Sequence, residues 1–509
     1  MLLRKQIGVF SKRWQIAWLE LLVFLTALFL YTYQLGAESF WIDEILSVES
    51  AQGPLNLNRP LYFVLLRFWM LFGQSDIWLR SLSVLFGLGS VVLTYCLGRK
   101  LADRRVGQLA AFLMVLSPLA INHSQEVRFY MMSTFLGLAG SLCLSYALQQ
   151  KTKKVSSSLL GWIVLRCLGF LTAQPNILLL LPDLVLIVWG SNVWKALQPT
   201  ASTRQVGKVR WRYWLLGLLL LLVPTGIILS DVIPELLEFL SYTTHVSSAR
   251  PDVFSLVGKL AALTVWPLRG PEYAAANLLY PLLFKIYSLV VLGLIAFAAC
   301  KAVVRFSPLS QAVLWGLLPI IFIFAASQTF PILWQDRYAL ISAPYVLMLL
   351  AAIWLRLWSH QRAIAISLAL LYALSVGGPL LRYYTMDYRA DWRGLSEEIA
   401  QYVEPNEPVL VYPGSFVEIL DYYYDGDANF LPMDEVVAAD DLEVDKAIAL
   451  VENASMQNAW IICPVVDQWS ETKDNLIARL ARAGFELERE DYFLDQWAWG
   501  PALYQFSTE

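Results

Sequence analysis

Asp43 and Glu44 stand side by side in ESFWIDEILS (Glu38 to Ser47), a few residues after a long apolar run. A carboxylate at a membrane surface can accept a proton from a nucleophilic hydroxyl, or orient it. Adjacent acids on a strand or loop point in different directions. The pair is therefore expected to divide labour, one acid at the chemistry and the other in a supporting bond. The plainer alternative is a pair of interfacial charges that stops a helix or pairs with Arg59 or Arg80. Two other polar islands join acids and Arg to aromatics: HSQEVRFY (His123 to Tyr130) and LWQDRYAL (Leu333 to Leu340). A guanidinium is a planar donor fork that suits a phosphate. Arg128 and Arg337 are thus phosphate candidates, the alternative being an Arg that snorkels beside an acid such as Glu126 or Asp336. The spacing of His123 and His245 does not support a two-histidine metal site. A divalent ion near Asp43 and Glu44 is compatible with their chemistry but not required by it.

Positioning such groups falls to a membrane scaffold. Of 509 residues, 58% are hydrophobic, 14% aromatic and only 16% charged. Soluble domains hold about 45–50% apolar and about 25% charged residues. The excess comes in runs such as LELLVFLTALFL and WLLGLLLLLVPTGIILS, near the roughly 20 residues that cross a hydrocarbon core. The fold class expected is mainly α: a polytopic membrane protein of about eleven spans, near 14–34, 78–98, 106–121, 129–148, 158–173, 175–191, 213–231, 278–300, 311–327, 339–357 and 363–381. The basic N-terminus runs into an apolar stretch too long for a signal peptide, so it reads as an uncleaved first span.

The net charge of −3 hides a division. From Arg382 onward there are 26 acidic and 8 basic residues, against 15 and 30 in the rest. Residues 1–381 therefore read as a basic transmembrane domain and 382–509 as an acidic soluble one. An acidic tail excludes nucleic acid as its natural partner. Lys and Arg recur in alternate short loops, which places the N-terminus in the cytoplasm and the tail outside a plasma (inner) membrane. Two outer loops are long, about 35–77 and 232–277. The first contains NRPLYFVLLRFWMLFG, which suits a helix lying along the membrane surface. In the tail, EPVLVYPG, AWIICPVVD and PALYQF read as strands, and DWRGLSEEIAQYV and ETKDNLIARLARAGF as helices, giving a small α/β domain. The five cysteines are scattered without metal spacing and read as small buried hydrophobes. There is no phosphate-cradling glycine loop.

FWIDEILSV resembles the first-loop acidic motif of the glycosyltransferase C (GT-C) superfamily. The nearest group is bacterial glycosyltransferase family 39, related to protein O-mannosyltransferases and aminoarabinose transferases. The likeness continues almost unbroken from about 38 to 132. LWQDRYALISAP resembles the later Arg-Tyr element, and DYRADWRGLSEEI the start of the extracytoplasmic region. At two places the chain departs from the pattern. Asn58-Arg59-Pro60-Leu61-Tyr62 stands where members often have His-Pro-Pro-Leu-Tyr, which removes a histidine and adds a charge. Ala173-Gln174-Pro175-Asn176 stands where members often carry Thr-His-Tyr.

The resemblance implies transfer of a sugar from a polyprenyl-phosphate donor to a hydroxyl of a protein, lipid or glycan on the outer side. Asp43, supported by Glu44, would be catalytic. Arg128, Arg337 and Arg59 would hold the donor phosphate. Trp41, Tyr62, Gln125, Glu126, Tyr130 and Tyr338 would line the substrate. The residues themselves agree with such a donor, because an outward-facing site has no access to cytoplasmic nucleotide sugars and a lipid phosphate needs cations at headgroup depth. These islands are expected to gather in one outer cavity. A transporter or flippase of a lipid-linked saccharide is the main alternative. Transporters, however, place ionisable groups near the bilayer midplane, and here the middles of the spans are almost free of charge.

Overall fold

The computed structural model describes the chain apart from residues 1–17, 55–58, 150–156, 198–225, 227–249, 267–278, 305–306, 406, 434–457, 466–476, 479–480, 483, 496–499 and 509. It divides into two compact units. One is built from residues up to Tyr33, from Ser50 to Leu268 and from Tyr273 to Leu380; the other unites residues 34–49 with those from Leu381 onward.

The first unit is helical. Its helices are α1 (Trp18–Thr32), the C-terminal end of α2 (Ile42–Gln52), α3 (Pro60–Met70), α4 (Asp76–Leu101), α5 (Arg104–Val115), α6 (Pro118–Ser124), α7 (Tyr130–Gln149), α8 (Ser157–Thr172), α9 (Leu180–Leu197), α10 (Val253–Val265), α11 (Leu279–Val304), α12 (Ser310–Ser327), α13 (Ala343–His360) and most of α14 (Arg362–Thr385). Among the described residues six stretches are long and apolar enough to cross a membrane, and α5 with α6, bent by 64°, makes a seventh. The chain is therefore a multi-pass membrane protein. The expected spans near 14–34, 158–173 and 175–191 coincide with shorter apolar helices. A helix of 16 residues, such as α8, rises only about 24 Å, short of a hydrocarbon core of about 30 Å. The expected span at 213–231 lies, but for one position, outside the described residues, so eleven crossings are not reached among the described ones.

Local chemistry sets these helices. Ser75, Asp103 and Ser117 cap α4, α5 and α6 by accepting backbone N–H groups of the first turn. Pro118 follows the cap of α6 at a position that needs no donor, and the bend falls there. The helix α3 appears where a surface helix is expected. Its Trp69 stacks on Trp78 at 4.8 Å, and each indole N–H donates to the other residue's carbonyl, at 2.9 and 3.0 Å. α4 and α5 meet through glycine: a Cβ on Gly107 would lie 2.5 Å from the Tyr95 carbonyl oxygen. Small residues permit such backbone approach between helices in lipid.

The second unit holds a five-stranded sheet. Its strands are β1 (Pro408–Val411), β2 (Asn429–Pro432), β3 (Asn458–Pro464), β4 (Phe485–Tyr492) and β5 (Pro501–Thr508), in the order β2-β1-β3-β5-β4. β1 runs parallel to β2 and β3; β5 runs antiparallel to β3 and β4. Helices α15 (Trp392–Tyr402) and α16 (Phe416–Tyr423) complete it. Leu410, Tyr412, Ile461, Cys463, Phe485, Tyr504 and Phe506 form the core. The expected strands at EPVLVYPG, AWIICPVVD and PALYQF are β1, β3 and β5, and DWRGLSEEIAQYV is α15. Most of ETKDNLIARLARAGF lies outside the described residues. β2, β4 and α16 are additions to the sequence expectation.

Candidate functional site

In the second unit, Asp43 and Glu44 occupy the first turn of α2, not a strand or loop. Successive helical residues are about 100° apart around the axis, so the two carboxylates diverge. Glu44 is fully buried, whereas Asp43 is half-buried. Glu44 Oε2 accepts from Arg389 Nη1 at 2.7 Å, and Glu38 lies 3.8 Å from Arg389 Nε.

The residues before the pair are fastened in turn. Glu38 accepts from the Tyr388 N–H at 2.6 Å. Ser39 accepts from the Arg393 N–H at 3.0 Å and donates to Asp391 at 3.3 Å. Asp391 also caps α15 through the Gly394 N–H. The Phe40 N–H donates to the Tyr423 hydroxyl at 2.6 Å. Trp41 is half-buried.

At the far end of the segment, burial and then the charges of Glu418 and Asp421 hold the Glu49 carboxyl above the usual carboxylate range. A raised folded pKa contributes stability that is complete at low pH and is lost as pH rises through it. Glu49→Gln is expected to raise the Tm slightly at pH 7. The gain should vanish below about pH 4, where the wild-type acid is protonated; thermal melts across pH check this.

In the first unit, α3, α6 and the start of α7 bring six of the expected residues together. Arg59 and Arg128 both address the ring of Phe129, with guanidinium carbons 4.1 and 5.3 Å from its centre. Tyr62 meets the same ring edge-on at 6.2 Å and is buried. Tyr130 packs on Phe129 at 4.4 Å and on His123 at 4.8 Å. Glu126 accepts from Asn122 at 2.8 Å and lies 2.8 Å from His123 Nδ1. Its carboxylate thus orients the imidazole. Gln125 reaches the end of α1. Its amide donates to the Leu30, Tyr31 and Tyr33 carbonyls at 3.3, 3.2 and 2.9 Å, which closes the exposed end of α1.

α6 packs against α10 and against the turn Asp336–Ala339. Asp336 binds Lys259 of α10 at 2.5 Å, and Lys259 also donates to the Trp334 carbonyl at 3.1 Å. Arg337 and Tyr338 are half-buried next to this pair, the guanidinium carbon 5.4 Å from the Tyr338 ring centre.

Lys259 and Arg389 were not anticipated from sequence. Each had a signal. Lys259 is a lone charge in the apolar VFSLVGKLAALTV, and Asp387-Tyr388-Arg389 repeats the acid, aromatic and Arg theme of the other islands. Among the described residues no group of three or more His, Cys, Asp or Glu could hold a metal ion. His245 lies outside them.

With an apolar helical bundle and a small mixed-sheet unit in one chain, this protein shares its fold with the solved structures of ArnT and AglB. Residues 60–203 match the family described as dolichyl-phosphate-mannose-protein mannosyltransferase. ArnT from Cupriavidus metallidurans in the apo state superposes with a TM-score of 0.55 at 14% identity, over 95% of this chain and 97% of that one. The same protein bound to undecaprenyl phosphate gives 0.54 at 15% identity, with the same coverage. The archaeal oligosaccharyltransferase AglB from Archaeoglobus fulgidus, in complex with an inhibitory peptide and a dolichol-phosphate, gives 0.52 at 13% identity over 94% of this chain and 73% of that one. No curated protein matches by sequence.

Proposed function

We propose that this chain is an inverting glycosyltransferase that moves a hexose or pentose from a polyprenyl-phosphate donor to a hydroxyl acceptor at the extracytoplasmic face. The observation that carries the reading is the pair of guanidinium groups, Arg59 and Arg128, brought to one aromatic ring beside a buried His123–Glu126 pair. Two such forks together suit a phosphate better than a neutral ligand. The solved structures of similar fold support it, since one holds undecaprenyl phosphate and another dolichol-phosphate.

In the proposed reaction, the acceptor oxygen attacks the anomeric carbon and its proton passes to Asp43. The bond from the anomeric carbon to the phosphate oxygen breaks, and the electron pair leaves with the polyprenyl phosphate. A phosphate monoester needs charge stabilisation more than a proton, and Arg128, Arg337 and Arg59 supply it. Tyr62, Tyr130, Tyr338 and Trp41 offer aromatic faces to the sugar or the first isoprene.

The test is incubation of the protein in lipid nanodiscs with a labelled polyprenyl-phosphate sugar. Covalent transfer to a hydroxyl acceptor supports the proposal, and movement of intact donor across a bilayer without transfer supports transport instead. Arg128→Ala is expected to weaken donor binding and to cost about 10²–10³ in rate. Titration of binding with sugar-free polyprenyl phosphate separates the two effects.

A further inference from the structure

Resting on that reading, we infer that Arg389 is a positioning residue. It fixes the acidic motif from within the second unit, through Glu44, and so sets the direction of Asp43. The observation is a seam between two stretches about 345 residues apart in sequence. Glu38, Ser39 and Glu44 bond to Tyr388, Arg389, Asp391 and Arg393, and Phe40 bonds to Tyr423 of α16.

Glu44 is fully buried and Arg389 nearly so. A buried carboxylate without its cation would be strongly disfavoured. The pair is therefore a device that commits one acid of the motif to structure and leaves its neighbour, Asp43, half-exposed for chemistry. The Ser47 hydroxyl also donates to the Asp43 carbonyl at 2.8 Å, which steadies the same turn. The acidic domain is on this account part of the catalytic apparatus.

The experiment compares wild type, Arg389→Ala, Arg389→Lys and the double variant Glu44→Gln/Arg389→Ala in nanodiscs. Arg389→Ala is expected to lower kcat at least tenfold and leave the KM for donor within about twofold. Lys should restore kcat in part, and the double variant should return it toward wild type. Hydrogen exchange of residues 38–47 is read on the same samples and should accelerate in Arg389→Ala alone, with the β-sheet core unchanged. A kcat unchanged in Arg389→Ala, or exchange of 38–47 equal to wild type, overturns the inference. If wild type shows no transfer with any polyprenyl-phosphate sugar, the functional reading fails, and the exchange result still decides the clamp.

Discussion

Asp43→Asn should reduce sugar transfer by about 10²–10⁴, the range lost when a positioned general base is removed. The substitution keeps shape and hydrogen-bonding capacity but cannot accept the acceptor's proton. Asp43 is half-buried and takes no part in the Glu44–Arg389 bond, so folding and membrane insertion should be preserved. Binding of polyprenyl phosphate should also persist, because that role is assigned to Arg128, Arg337 and Arg59. The measurement is single-turnover transfer with labelled donor, alongside titration of lipid phosphate binding and a thermal melt. Transfer within tenfold of wild type would remove Asp43 from the base role. Glu44→Gln provides the contrast: because Glu44 is wholly buried on Arg389, its loss should show first in the melting curve.

Much of this arrangement was legible in the sequence, and the gaps have physical causes. The apolar runs marked the helices because each spanning helix must carry its own backbone hydrogen bonds through lipid. Nothing in such a run distinguishes a 26-residue crossing such as α4 from a 16-residue helix such as α8, since both are apolar around their circumference. Central strands were visible as short apolar runs, PVLV and WIIC. The edge strands were not. β4 reads FELEREDY, and its charges are what an exposed edge carries to prevent pairing with other chains. β2 has only four residues and follows a polar turn.

The candidate residues divide in the same way. Residue types singled out Asp43, Arg128 and Arg337 as candidates, since acids and guanidinium groups lying among aromatics in this apolar chain are few. Partners separated by hundreds of residues could not be read. Glu44 with Arg389 and Asp336 with Lys259 are products of tertiary packing. So is the commitment of Gln125 to the end of α1. A side chain that looks available for substrate in sequence can also serve the backbone it caps.

Asp183→Ala is expected to be the most destabilising single change in the helical unit. Asp183 is fully buried and accepts four bonds: from Arg166 Nε at 2.7 Å and Nη2 at 3.1 Å, Trp162 at 2.8 Å and Trp315 at 2.7 Å. Arg166 spends its remaining donors on the Gly137 carbonyl and the Ser141 hydroxyl, at 2.7 and 2.9 Å, and Ser141 pairs with the Tyr345 hydroxyl at 2.8 Å. One ion pair thus ties α7, α8, α9, α12 and α13. Removing one member of a buried pair costs about 3–5 kcal/mol, and the orphaned indole donors add to it. Replacing both charges, as in Asp183→Leu/Arg166→Met, should recover the part of the loss due to the unpaired Arg166 charge, while the Trp162 and Trp315 indole donors stay unpaired. Thermal unfolding in detergent and in lipid measures both. The same pair discriminates transferase from transporter. An acid that carries substrate or protons through the bundle would be lost with its charge, so transport would fail in the double variant although it folds. The saturated bonding of Asp183 marks a fixed structural joint, and the double variant is expected to keep transfer per folded molecule near wild type.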